Sequence, residues 1–235
     1  GGLDQFRAAG RLDLPAEQYR SDYTFILPTS YNPGTNGQNH LQVIRPPGLA
    51  ITLDGSGYLR GQYVSASAKR SRDTAFSSSN SFNYNRSQLG FEQVMAYYHI
   101  DRTQRYIQSL GFTNVDNRQQ SVVSNGTTAD NSFYSPSNKG ITLGTGGVDD
   151  GEDADVIIHE YGHSIQDNQV PGFGKTNEGG AMGEGFGDYL AFSMSPISQT
   201  GAYFACIAEW DATSYASGNP PCLRRLDSNK VYPTN

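Results

Sequence analysis

Two histidines and a glutamate stand in the order His159-Glu160-Tyr161-Gly162-His163, inside the run from Asp155 to Asp167. On an α-helix, residues four apart share a face one turn up. Two imidazoles so placed can reach one tetrahedral metal ion. Glu160 falls at the edge of the same face, where it can hold and deprotonate a water without being a ligand. The surrounding residues support a helix independently of the motif. Val156, Ile157, Ile158, Tyr161 and Ile165 are apolar on the side away from the histidines, and Asp153 and Asp155 lie at the N-terminal end, where the helix dipole favours carboxylates.

A catalytic metal of this kind needs a third protein ligand and an open position. After His163 the candidates are Asp167, Glu178, Glu184 and Asp188. Asp167 sits a further turn along the same helix, too far along the axis. Glu184 and Asp188 are spaced i, i+4 in a second helical run, residues 180–192, whose Met182, Phe186, Tyr189, Leu190 and Phe192 are apolar. That run contains Gly183, Gly185 and Gly187. A glycine inside a helix costs about 0.5–1 kcal/mol against alanine, so the three together predict a close approach to the His159 helix. Such an approach brings Glu184 to the metal as third ligand. Asp188 can then accept a hydrogen bond from the outer nitrogen of a ligand histidine. Glu178 lies before this helix and is the weaker candidate.

The elements that must position these groups are a helix over roughly 90–110, with Phe91, Val94, Met95, Tyr98 and Ile107 at helical spacing and Gly111 as its C-cap, and several strands. A β-hairpin is expected from Leu49 to Ala68, turning at Asp54-Gly55-Ser56-Gly57. Strands are also expected at Tyr23–Leu27, Gln119–Val123, Asn131–Tyr134 and Gly140–Gly144, and a surface loop over 70–90. His99, on the apolar helix, reads as a structural histidine. The run from Asp149 to Asp155 holds five carboxylates in seven residues; clustered hard oxygens suit Ca²⁺, and Asp153 and Asp155 are its candidate ligands.

With 235 residues, 36% of them hydrophobic, the chain can bury a sizeable core. A net charge of −6 argues against a nucleic-acid partner. No apolar run reaches 18 residues, so no membrane span is expected, and Gly1-Gly2-Leu3-Asp4 shows no signal peptide. Gly, Tyr, Ser and Asn are abundant and charge is sparse, a composition like that of secreted enzymes. In an oxidising compartment Cys206 and Cys222 would form a disulfide, the alternative being two unrelated buried thiols.

His159-Glu160-Tyr161-Gly162-His163 followed by Gly183-Glu184-Gly185-Phe186-Gly187-Asp188 resembles the gluzincin metallopeptidases. It is similar to the fungalysin (M36) pattern and, more distantly, to thermolysin (M4). The likeness covers roughly residues 90–235. It implies His159, His163 and Glu184 as zinc ligands, Glu160 as general base and Asp188 as partner of His159. It implies that Asn131, with Ser132 beside it, binds substrate on an edge strand to which a peptide adds as a further strand. Asp155 matches a calcium-binding carboxylate of thermolysin. Two features depart from the pattern. Lys175 stands where thermolysin has an intermediate-stabilising tyrosine, and no histidine follows His163. The expectation is therefore a chain ending before a C-terminal helical lobe, with weak activity.

The fold expected is α+β: a zincin-like catalytic lobe with a β-rich N-terminal part (residues 1–89), a mixed or antiparallel sheet, and an active-site helix packed on a glutamate-bearing helix within residues 90–235. The function expected is a secreted zinc endopeptidase with Zn²⁺, and Ca²⁺ as a second ion. It would act on protein or peptide substrates, bind its own propeptide, and bind neither nucleic acid nor membrane. The competing expectation is a non-catalytic, zinc-stabilised binding domain.

Overall fold

The computed structural model describes residues 25–27, 42–44, 53–82, 84, 86–194 and 203–230. His40 and most of the Leu49–Leu53 stretch lie outside them. In chain order the elements are β1 (Phe25–Leu27), β2 (Gln42–Ile44), β3 (Val64–Ala68), α1 (Gly90–Ser109), β4 (Gln120–Thr127), β5 (Phe133–Ser135), β6 (Gly140–Gly144), α2 (Ala154–Gln169), α3 (Asn177–Met194), β7 (Cys206–Ile207) and β8 (Arg224–Arg225). This is α+β, as a zincin-like lobe requires. No helix is long and apolar enough to cross a membrane.

The main sheet has the order β3-β4-β6-β5 and is mixed. β3 pairs parallel with β4, and β4 with β6, while β5 closes the edge antiparallel to β6. Residues 49–52 of the expected hairpin lie outside the described residues, and β3, expected in its second arm, ladders with β4. The turn after Leu53 closes on isolated bridges, Leu53 to Gly61 and Arg60 to Ser65, with Gly55 and Gly57 at positive φ. The reason is α1. Its apolar face must be covered, and a strand–helix–strand crossover covers it by laying the helix on two parallel strands. Val64, Ala66 and Val122 on the sheet meet Phe91, Val94, Met95 and Tyr98 on the helix in one buried cluster. The sheet thus runs across residue 89, joining β3 to strands that follow α1.

α2 is buried on more than one side. Ile157, Ile158, Tyr161 and Ile165 enter the core, each burial contributing about 1.5–3 kcal/mol, and Tyr161 donates its hydroxyl to Gln104 of α1 (2.6 Å). Asp153 caps the helix, accepting from the Asp155 N–H (2.8 Å). α3 begins at Asn177, so Glu178 lies in its first turn rather than ahead of it. The disulfide Cys206–Cys222 is formed and ties the strand pair β7–β8 to the segment between them.

Glu92 of α1 is a buried acid with a clear consequence for pH. It is 3% exposed. Burial, then the neighbouring carboxylates Asp149 and Glu152, push its pKa up from 4.5 to about 8. The folded state therefore holds this proton more tightly than the unfolded state does. Its contribution is complete below about pH 4.5 and is lost as pH rises through about 8. Glu92→Gln is expected to flatten the decline in stability between pH 5 and 9. At pH 9 it should exceed the wild type by on the order of 1–3 kcal/mol, read from denaturant melts at each pH.

Candidate metal centre

α2 presents His159 and His163 side by side, and α3 crosses it at glycines. A Cβ on Gly187 would lie 2.7 Å from Nδ1 and 2.9 Å from Cε1 of His159, and one on Gly162 would lie 2.9 Å from the Gly187 Cα. These two glycines let the helices touch. Gly183 would meet only ordinary contacts at 3.4–3.6 Å, and Gly185 faces open space, so the close approach expected of all three rests on Gly187. Gly187→Ala is expected to push the His159 ring off its partners and cost about 1–3 kcal/mol. Gly185→Ala should instead gain up to about 1 kcal/mol from helix propensity. Paired thermal melts would check both, and equal shifts would contradict the packing described.

The approach brings the ligand atoms together. Nε2 of His163 lies 3.1 Å from Nε2 of His159. Glu184 carboxylate oxygens lie 3.3 Å from His159 Nε2 and 3.4 Å from His163 Nε2. Two ring nitrogens facing one another at this distance point at a common centre. Ligands about 2.0–2.1 Å from a tetrahedral ion stand roughly 3.3 Å apart, so all three spacings fit. Two imidazoles, one carboxylate and a fourth side open to a cavity make a donor set suited to a catalytic zinc.

Behind these three side chains, His159 Nδ1 meets Asp188 Oδ1 at 2.8 Å. Arg224 of β8 grips the same carboxylate with two bonds, Nε to Oδ2 at 2.6 Å and Nη2 to Oδ1 at 2.7 Å. Asp188 is buried. Burial opposes its charge, but the bonds from His159 and Arg224 outweigh it and hold the carboxyl below its ordinary value. Burial likewise disfavours a charged His159, yet Asp188 and Glu184 hold its pKa up at about 9. Glu184 is held well below its ordinary value by the two histidines. The electrostatics are those of a negative nest built to hold positive charge.

Glu160 is 7% exposed, and its Oε2 accepts the backbone N–H of Tyr134 at 2.7 Å. Burial raises its pKa against the pull of His159 and His163, which suits a group that must take a proton. The strand that fixes it, β5, is fixed in turn to α2. Asp167 Oδ2 accepts from the Tyr134 hydroxyl (3.0 Å) and from Lys139. Among the described residues β5 is an edge strand of the sheet, and it lies along a cavity of about 1080 Å³ that holds His159, Glu160, His163, Glu184 and Arg224.

The residues expected at the site divide accordingly. His159, Glu160, His163, Glu184 and Asp188 come together. Asn131 is exposed and lines the cavity. Ser132 also lines it, its hydroxyl donating to Asp150 and accepting from the Gly144 N–H. The calcium expectation at Asp153 and Asp155 is not supported. Asp153 accepts from the N–H groups of Asp155, Trp210 and Asp211, and Asp155 from that of Ala208. Their carboxylates pin the 203–215 segment onto the start of α2 instead. His99 stays outside the cavity, packed edge-on against Tyr98 (4.9 Å), with burial and Arg102 pushing its pKa down to about 3.

Sequence reasoning missed Arg224 and the role of the Tyr134 N–H. Arg224 stands 36 residues beyond its partner Asp188, in a stretch with no periodicity to mark it. Tyr134 acts through its backbone, which side-chain identity does not encode.

Residues 142–230 match the family of fungalysin metallopeptidases (M36). The matched segment includes all of α2 and α3 and runs through Arg224. A search of curated proteins returns no match.

Proposed function

We propose that this chain, fungalysin-like over residues 142–230, is a zinc endopeptidase that works outside the cell. The observation that carries the reading is the convergence of His159, His163 and Glu184 beside a buried Glu160, on one cavity flanked by an unpaired strand edge.

His159, His163 and Glu184 hold the ion, with Asp188 and Arg224 fixing the ring of His159. Zinc bound there supplies Lewis acidity, polarising a peptide carbonyl and making a neighbouring water more acidic. A substrate peptide lies along β5, pairing with its free edge, with Asn131 at the rim. Glu160, oriented by the Tyr134 N–H, takes a proton from the attacking water and passes it to the departing amine. Arg224 and Lys175 both line the cavity and can offer positive charge to the negative charge that builds on the carbonyl oxygen. A location outside the cell is supported by the disulfide Cys206–Cys222, because such bonds persist in oxidising compartments.

The deciding test is cleavage of quenched-fluorescence peptides by the zinc-loaded protein. The reading expects internal bonds to be cut and the activity to vanish with chelator and return with zinc. Chelator-resistant cleavage would overturn it.

A further inference from the structure

The cavity that holds the triad has a second polar wall. Asp130 stands ahead of β5, Asp150 in the short helix before α2, and Asp211 in the segment after β7. One carboxylate oxygen from each lies within 4.8 Å of the others, and all three residues line the same cavity as the metal ligands. Asp150 and Asp211 are 3% and 5% exposed. Each uses one oxygen locally, Asp150 accepting from Ser132 and Asp211 from Tyr215. Each keeps its Oδ1 buried without a donor. Asp130 is exposed at the rim. Among the described residues no lysine or arginine forms an ion pair with any of the three.

Buried carboxylate oxygens without partners are costly, and three carboxylates held together repel one another. Burial and this crowding push Asp150 up to about 7 and Asp211 to about 6. A cation brought among them would relieve both penalties. Val156, Ile207 and Leu223 line the same cavity and give it apolar surface as well. A cavity that offers both apolar surface and carboxylates is complementary to a methylene stem carrying a positive head.

We propose that Asp130, Asp150 and Asp211 form a specificity pocket for the lysine or arginine side chain of the substrate residue next to the cleaved bond. This rests on the zinc-peptidase reading of the adjoining site. A divalent cation is the competing occupant. Calcium takes 6–8 oxygens, whereas Asp150 and Asp211 each already commit one oxygen to a hydroxyl, and the trio shares its cavity with apolar side chains.

The test is binding, which does not depend on turnover. Two dipeptide hydroxamates, alike except for an arginine or a norleucine side chain, are titrated into the zinc-loaded full chain by calorimetry. The pocket predicts at least tenfold tighter binding of the arginine compound, with the preference falling toward parity in Asp211→Asn. It predicts a partial loss in Asp130→Asn, whose exposed side chain leaves the fold intact. Equal binding of both compounds to the wild type overturns this proposal and leaves the zinc site standing. Binding of neither overturns the zinc-site reading and this one with it. Calcium binding that Asp211→Asn abolishes, without an arginine preference, makes the trio a metal site and overturns the proposal as well.

Discussion

Glu160→Gln is expected to lower kcat for peptide hydrolysis by about 10²–10⁴-fold, the range a positioned general base contributes, while zinc content stays near that of the wild type. The substitution is nearly isosteric. It keeps an oxygen that can accept the Tyr134 N–H, now 2.7 Å from Oε2, so β5 stays in place. It removes only the ability to take a proton. Glu160 is buried beside the histidines, and neither neighbouring acid replaces it: Glu184 faces both histidines and Asp188 is bound to His159 and Arg224. KM should move little, since the general base acts in the transition state rather than in substrate binding. Full activity in the zinc-loaded variant would show that the proton goes elsewhere.

Removing a ligand acts on a different quantity. Glu184→Ala is expected to weaken zinc binding by more than 100-fold, because it leaves two imidazoles and no charge to balance the ion. Asp188→Asn touches the same ring from behind and should cost about 10–100-fold, the usual effect of a partner that orients a ligand. The ordering distinguishes a ligand from a positioning group. Glu184 is half in solvent, with 55% of its side chain exposed, and tolerates truncation without a cavity, whereas Asp188 is buried and paired to Arg224. Competition against a fluorescent chelator reads both affinities. An Asp188 variant weaker than the Glu184 variant would contradict the assignment.

Much of this site was legible in the chain because it is local. The i, i+4 histidines, the Glu184–Asp188 spacing and the glycine that admits a ring all follow from helical geometry, and the structure places them together. Helix α1 and strand β6 were equally plain from periodicity and turn residues. What escaped were relations that only tertiary packing creates. The partner of β3 is decided by where α1 needs cover, not by the Gly-rich turn beside it. Arg224 reaches Asp188 from a segment of mostly irregular backbone held by a disulfide and by N–H groups bound to Asp153 and Asp155. The carboxylates read as a calcium run turned out to hold backbone. The acids that do converge, Asp130, Asp150 and Asp211, come from three separate segments and share no spacing.

The central claim is that one zinc sits between His159, His163 and Glu184, and metal analysis of folded protein tests it most directly. Wild type and Glu160→Gln, dialysed against zinc and then against buffer, should each retain about one zinc per chain, and Glu184→Ala should retain none. A wild-type protein that is folded, by its circular dichroism, yet holds no zinc would contradict it.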